Sequence, residues 1–162
     1  MIIRPERPGD EAAIFALTQA AFADRPFSNG TEGPIVDRLR ADGDLVLSLV
    51  AERQGRIVGH IAFSPVTVSG ERQGLYGLGP VCADPTLRGQ GIGSALIREG
   101  LARLADARAV FLVSDPAYYA RFGFVGDCGL RHGDVPARAV QTLCLDGQPR
   151  QGEIRYAPAF GR

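Results

Sequence analysis

The sequence predicts a mixed α/β (α+β) fold, a mostly antiparallel central sheet of about seven strands flanked by about four helices. Three observations predict it. Residues 45–52, 57–67 and 75–83 are rich in Leu, Val and Ile and are joined by short polar turns, the pattern of successive antiparallel strands. Helical periodicity precedes them twice and follows them once. Between the third strand and the following helix lies Leu87-Arg88-Gly89-Gln90-Gly91-Ile92-Gly93-Ser94, a glycine turn that opens straight into a helix.

In chain order, residues 2–4 read as a short strand, broken by Pro8-Gly9-Asp10, with Asp10 as the N-cap of the next helix. Over residues 11–23, Ile14, Leu17 and Ala21 share one helical face. A second helix is expected from Glu32 or Gly33 to Ala41, with Ile35, Val36 and Leu39 inward. Asp42-Gly43-Asp44 turns into the three strands, the first two joined by Arg53-Gln54-Gly55-Arg56. Proline is rare inside a strand, so Gly79-Pro80 predicts a bulge in the third. In the helix over residues 94–105, Leu96, Ile97, Leu101 and Leu104 form the buried stripe. Residues 109–113 read as a buried parallel strand. Asp115-Pro116 opens a short helix that ends at Gly123, and Phe124 begins another strand. Residues 139–145 and 153–156 supply further strands.

The chain of 162 residues is expected to form one domain, residues 1–162. Formal charge is zero, which argues against a nucleic-acid surface built on positive potential. No apolar run approaches membrane-spanning length, and Met1-Ile2-Ile3-Arg4-Pro5 lacks the apolar stretch of a secretory signal, so none is expected. Cys82, Cys128 and Cys144 are odd in number and lack a Cys-x-x-Cys pair, so neither a disulfide framework nor a metal site is expected, and a cytoplasmic location is the simplest reading. All the basic residues are arginine. A Gly-Lys-Ser/Thr phosphate loop and a lysine Schiff base are therefore impossible. The missing Gly-x-Ser-x-Gly disfavours a serine hydrolase.

The glycine turn points to an anion. Glycine lets the backbone approach a ligand closely, and the first amides of a helix lack intrahelical partners and carry partial positive charge. A phosphate or pyrophosphate fits there. A dinucleotide-binding fold is disfavoured, since Gly-x-Gly-x-x-Gly is not met and the preceding strands read as antiparallel.

From Ile2 to about Leu145, the order of elements resembles the Gcn5-related N-acetyltransferase (GNAT) superfamily. Two motifs carry the resemblance: the Arg/Gln-x-x-Gly-x-Gly/Ala signature, here Arg88-Gly89-Gln90-Gly91-Ile92-Gly93, and a Tyr followed four residues later by Gly-Phe, here Tyr119 with Gly123-Phe124. The run from Asp115-Pro116 to Phe124 and the tail Tyr156-x-Pro158-Ala159-Phe160 look like a bacterial subgroup of predicted acetyltransferases. The resemblance implies acetyl-CoA as donor, an amine acceptor, and a sheet splayed between its fourth and fifth strands. It implies that the pyrophosphate sits on the amides of Arg88, Gly89, Gln90, Gly91, Ile92, Gly93 and Ser94. The pantetheine arm would bond along Val81, Cys82 and Ala83, and an amide near Val81 would stabilise the tetrahedral oxyanion.

Tyr119 would protonate the departing thiolate, a workable transfer because phenol pKa values near 10 exceed thiol values near 8.5. Glu32 and His60 are the candidates to take the amine's proton, directly or through water. Ser114 departs from the pattern, since an asparagine often meets the pantetheine there. Tyr118, Phe122 and Phe124 read as core or pocket wall, His132 has no catalytic case, and Cys82 reads as a small buried hydrophobe. The acceptor would be selected by the 26–32 loop, the hairpin strands and the C-terminal segment, with Glu32 and Asp44 the acids available to a cationic amine. A non-catalytic acyl-CoA-binding domain is the alternative, a homodimer is left open, and neither nucleic acid nor membrane is an expected partner.

Overall fold

The computed structural model describes residues 1–161; Arg162, the last residue of the expected domain, lies outside the described residues. Eight strands and four α-helices follow one another as β1 (Ile2–Pro5), α1 (Glu11–Phe22), α2 (Glu32–Asp42), β2 (Leu47–Arg53), β3 (Arg56–Val68), β4 (Leu75–Ala83), α3 (Ile92–Arg103), β5 (Ala109–Val113), α4 (Pro116–Tyr119), β6 (Leu130–Arg131), β7 (Val140–Cys144) and β8 (Gly152–Tyr156). The strand order is β1-β2-β3-β4-β5-β7, with β8 on β3 and β6 on β8. Two compact units divide the chain: residues 1–63 with 79–104, and residues 64–78 with 105–161. Strands β3 and β4 run through both.

In the first unit, β1, β2 and the front half of β3 form an antiparallel meander, with Arg4 opposite Val50 and Val50 opposite His60. The β2–β3 turn is two residues long, and Gln54 and Gly55 both have positive φ, 53° and 75°. That conformation matches the twist of the flanking strands. One side of the meander takes α1 and α2 through Ile14, Val36 and Val50, with Ile57 packed against them. Leu17, Ala21 and Cys82 form a second cluster under α1. Elsewhere a Cβ on Gly59 would lie 2.6 Å from Ile92 Cγ2, and one on Gly100 would overlap the ring of Phe63. These two glycines let α3 lie close against its strand.

The second unit pairs β4 with β5 in parallel, through Leu75↔Ala109, Tyr76↔Val110 and Gly77↔Phe111, and β5 with β7 antiparallel. Strand β8 pairs Ile154 with Val68 on the back half of β3. Its core is Val66, Val68, Leu75, Ala109, Phe111, Leu130, Val140 and Ile154.

Several boundaries differ from the sequence-based expectation, each for a visible reason. Strand β2 starts at Leu47 rather than at residue 45 because the Leu45 amide donates to Leu39 O, closing the end of α2. Helix α3 starts at Ile92, not at residue 94, since Gly91 in the left-handed region already serves as its N-cap. Asp10 does occupy the N-cap position of α1, but its carboxylate accepts from the Arg7 amide and the Arg4 guanidinium instead of a helix amide. The strand expected from Phe124 reduces to one bridge, Val125↔Thr142, and the two-residue β6, because Asp127 and Gly129 take positive φ, 52° and 89°, and break the extended run. At the expected bulge the Gly79–Pro80 peptide is cis, with Gly79 at φ 137°. A register shift of bulge type lies between β2 and β3, where Ala51 pairs with Gly59 and Glu52 with Ile57, so that Val58 of β3 is the extra residue.

Candidate active site

The glycine turn lies wholly in the first unit. Asp84 starts it: its amide donates to Val58 O at 2.8 Å, and its carboxylate accepts from the Thr86 amide at 2.9 Å. Gly89 and Gly91 both have φ 81°, and a Cβ at either would meet nothing within 4 Å. Their glycine requirement is therefore conformational, since an L side chain in that region costs roughly 1–2 kcal/mol. The ladder of α3 begins with Ala95 N–H donating to Gly91 O at 3.0 Å, so the amides of Ile92 and Gly93 precede it. Such amides at the positive end of a twelve-residue helix have the geometry and partial charge to seat an anion. Immediately upstream, Val81, Cys82 and Ala83 end β4, with Cys82 buried and its neighbours half-buried.

The Arg88 side chain turns away from this seat. It donates to both carboxylate oxygens of Asp24, at 3.1 and 3.0 Å, and to Ala21 O at 3.0 Å, at the C-terminal end of α1. The guanidinium thus anchors the turn to α1. Glu32 is the first residue of α2, half-buried, and accepts the Ser28 hydroxyl at 2.7 Å. The next amide, Gly33, donates to Gln19 Oε1 of α1 at 2.9 Å. The first unit thus holds the cofactor-type residues Val81–Ala83 and Arg88–Ser94 together with Glu32 and His60.

His60 is fully buried on β3. Its Nε2 lies 2.8 Å from Ser48 Oγ, which donates to Glu6 Oε1 at 2.5 Å, and Glu6 in turn takes two bonds from Arg40. With the serine proton given to Glu6, Nε2 is the protonated nitrogen, and Nδ1 is an acceptor with no partner among the described residues. Burial pushes the ring's pKa down to about 4, with Glu6 pulling it up and Arg40 pushing it further down. A ring so reluctant to protonate is a poor proton acceptor. Burial pushes the Cys82 thiol up to about 11, so a thiolate is suppressed there too.

Tyr119 belongs to the second unit and closes α4. Asp115 caps that helix through the Ala117 amide at 2.9 Å, and Gly123 at φ 96° ends the following turn. The Tyr119 ring packs edge-on to Tyr118 and Phe124, at 5.0 and 6.0 Å between centroids. Burial, with a smaller contribution from Tyr118, raises its pKa to about 12, which keeps the proton on the phenol. In the same unit Gln141 Nε2 donates to Ser114 O at 2.9 Å, fixing the chain just before α4.

Sequence reasoning missed the Arg88–Asp24 clasp, the Glu6–Ser48–His60 chain and the contact of Arg53 Nη1 with Gln90 Oε1 at 3.1 Å. Only the last had a sequence signal, the two-residue hairpin turn that sets Arg53 opposite Arg56.

Residues 14–124 match the acetyltransferase (GNAT) family. The chain is 42% identical over 127 residues to the uncharacterized N-acetyltransferase YhbS of Escherichia coli (strain K12), covering 76% of this chain and 73% of that protein. A GNAT family acetyltransferase from Brucella melitensis, solved in complex with acetyl-CoA, superposes with a TM-score of 0.88 at 48% identity, over 98% of this chain and 97% of that one. The structure of YhbS from Escherichia coli in complex with CoA gives 0.90 at 36% identity, over 99% and 92%. The chain therefore belongs to the acetyltransferase (GNAT) family, and its class of chemistry is acetyl transfer. Among the described residues no helix is long and apolar enough to cross a membrane.

Proposed function

We propose that this protein transfers acetyl from acetyl-CoA to a primary amine by direct attack through a tetrahedral intermediate. The observation that carries the proposal is the turn between β4 and α3, where two left-handed glycines present main-chain amides at a helix N-terminus directly after the strand end at Ala83. The cofactor's diphosphate sits on Arg88–Ser94 and its pantetheine arm runs along Val81–Ala83. Backbone hydrogen bonds of this kind hold a flexible chain of amides as they would an added strand. The Val81 amide receives the oxyanion as the carbonyl carbon becomes tetrahedral.

The attacking amine must be neutral, and Glu32, at the mouth of α2, takes its proton directly or through water. Tyr119, protonated well above neutral pH, gives its proton to the departing thiolate. Direct attack is favoured over an acyl-cysteine relay because the only cysteine of the strand end, Cys82, is held as a thiol. The acceptor is a small-molecule or peptide amine.

Calorimetry with acetyl-CoA, followed by a labelled-acetyl screen over antibiotics, polyamines, amino acids and peptide N-termini, tests the proposal. Saturable binding with transfer to one amine class is expected. Absence of binding at millimolar cofactor rejects the whole reading; binding with no transfer across the panel leaves only an acyl-CoA-binding domain.

A further inference from the structure

The hairpin between β2 and β3 breaks a local rule. Arg53 and Arg56 are directly opposed across a two-residue turn, and like charges facing each other across strands are destabilising. Such conflicts tend to mark places where another requirement overrides stability. Both arginines are attached to the glycine turn or its flanking acid. Arg53 Nη1 donates to Gln90 Oε1 at 3.1 Å. Arg56 Nη2 lies 3.4 Å from Asp84 Oδ2, with its side chain 69% exposed. Three guanidiniums thus meet this turn, Arg53, Arg56 and Arg88, and two carboxylates answer them: Asp24 on Arg88 and Asp84 on Arg56. The neighbouring Glu52 is taken by Arg4 at 2.8 Å. Among the described residues Arg53 makes no ion pair, and a glutamine of the turn itself holds it in place.

We propose that Arg53, backed by Arg56, binds the 3′-phosphate of the cofactor's adenosine and so selects CoA thioesters over their dephospho forms. This rests on the reading above that the diphosphate occupies the main-chain amides of the turn. Arg53 reaches the side chain of Gln90 rather than its backbone, one side-chain length outside that seat. The part of the cofactor beyond the diphosphate is the adenosine with its 3′-phosphate, a dianionic monoester. A planar guanidinium with donors still unused suits that group, and the second cation opposite it, loosely paired and exposed, can swing onto the same anion.

Calorimetry on the full chain, with acetyl-CoA and with 3′-dephospho-acetyl-CoA, for the wild type and for Arg53→Ala, tests the assignment. The wild type should bind acetyl-CoA about tenfold or more tighter than the dephospho form. In Arg53→Ala that preference should collapse to about twofold, with dephospho-acetyl-CoA binding as before and a melting temperature no lower than the wild type's, since the opposed like charge is gone. A preference that survives in Arg53→Ala overturns the proposal. An equal loss for both ligands also overturns it, by moving the contact to the diphosphate. Equal wild-type binding of both ligands overturns this inference and leaves the proposed function intact, whereas binding of neither rejects that function and this inference with it.

Discussion

His60 should make the protein acid-labile at an unusually high pH. Its ring is fully buried, its Nε2 is committed to Ser48, and burial holds the pKa at about 4 against an ordinary 6.5. The folded chain thus prefers the neutral ring. As pH falls below about 6.5 the unfolded chain binds a proton that the folded chain refuses, so stability declines until the folded ring protonates near 4. Stability from this source is fully present above 6.5 and lost below about 4, a difference of roughly 3 kcal/mol at about 1.4 kcal/mol per pH unit. Between about pH 7.5 and 5.5 the expected loss is roughly 1.3 kcal/mol, and few carboxylates titrate in that window in either state. Glu6 and Arg40 are the charged groups that reach the ring, and neither changes charge there.

The assay is urea unfolding at the two pH values for the wild type and for His60→Gln. The amide nitrogen of glutamine can reach Ser48 as Nε2 does, without a titrating ring. The wild type should lose roughly 1.3 kcal/mol and the variant under about 0.3. Parallel pH dependence in the two proteins, or a folded-state His60 titration near 6.5 by NMR, refutes the reasoning.

Three further outcomes follow from the geometry. Tyr119→Phe should lower kcat about a hundredfold while acetyl-CoA affinity stays within about twofold, and equal turnover in steady-state assays removes the phenol from the mechanism. Gly100→Ala, and separately Gly59→Ala, should cost roughly 1–3 kcal/mol in denaturant titrations, because the new methyl collides with Phe63 in one case and with Ile92 and Leu96 in the other. Cys82→Ala should retain turnover within a few fold, with no acetylated enzyme visible by mass spectrometry after cofactor alone; abolished transfer together with an acetyl adduct on the wild type restores the cysteine relay.

What was legible in the sequence was the local part. Strands β4 and β5 fall at the residues that pattern alone marks, since alternation and punctuation by turns are short-range signals. The glycine turn is legible for the same reason: two positive-φ positions before a helix leave a composition that few other structures need. Elements defined by distant partners were not legible. Strand β6 exists only because β8 lies beside it, some twenty residues on. Gly59 and Gly100 carry no signal in the sequence, and only the approach of α3 to β3 gives them a reason. Arg88 read as part of a signature, yet its charge is spent 64 residues away on Asp24.

That last point bears on how the anion is held. Had Arg88 faced the seat, the cofactor would have to compete with Asp24 and Ala21 O for it, and binding would weaken by whatever that exchange costs. With Arg88 engaged elsewhere, the seat is electrically a set of fixed dipoles, the amides ahead of Ala95, which need no rearrangement when a ligand arrives. Fixed dipoles recognise a diphosphate but are blind to what lies past it. On the proposed reading, discrimination among diphosphate ligands falls to side chains outside the turn, in the first unit Arg53 for the adenosine end and the segment around Glu32 for the acceptor end. On that reading a chain without lysine suffices, because the seat asks nothing of side-chain charge and the guanidiniums are left to brace the turn and to read the ligand's extremities.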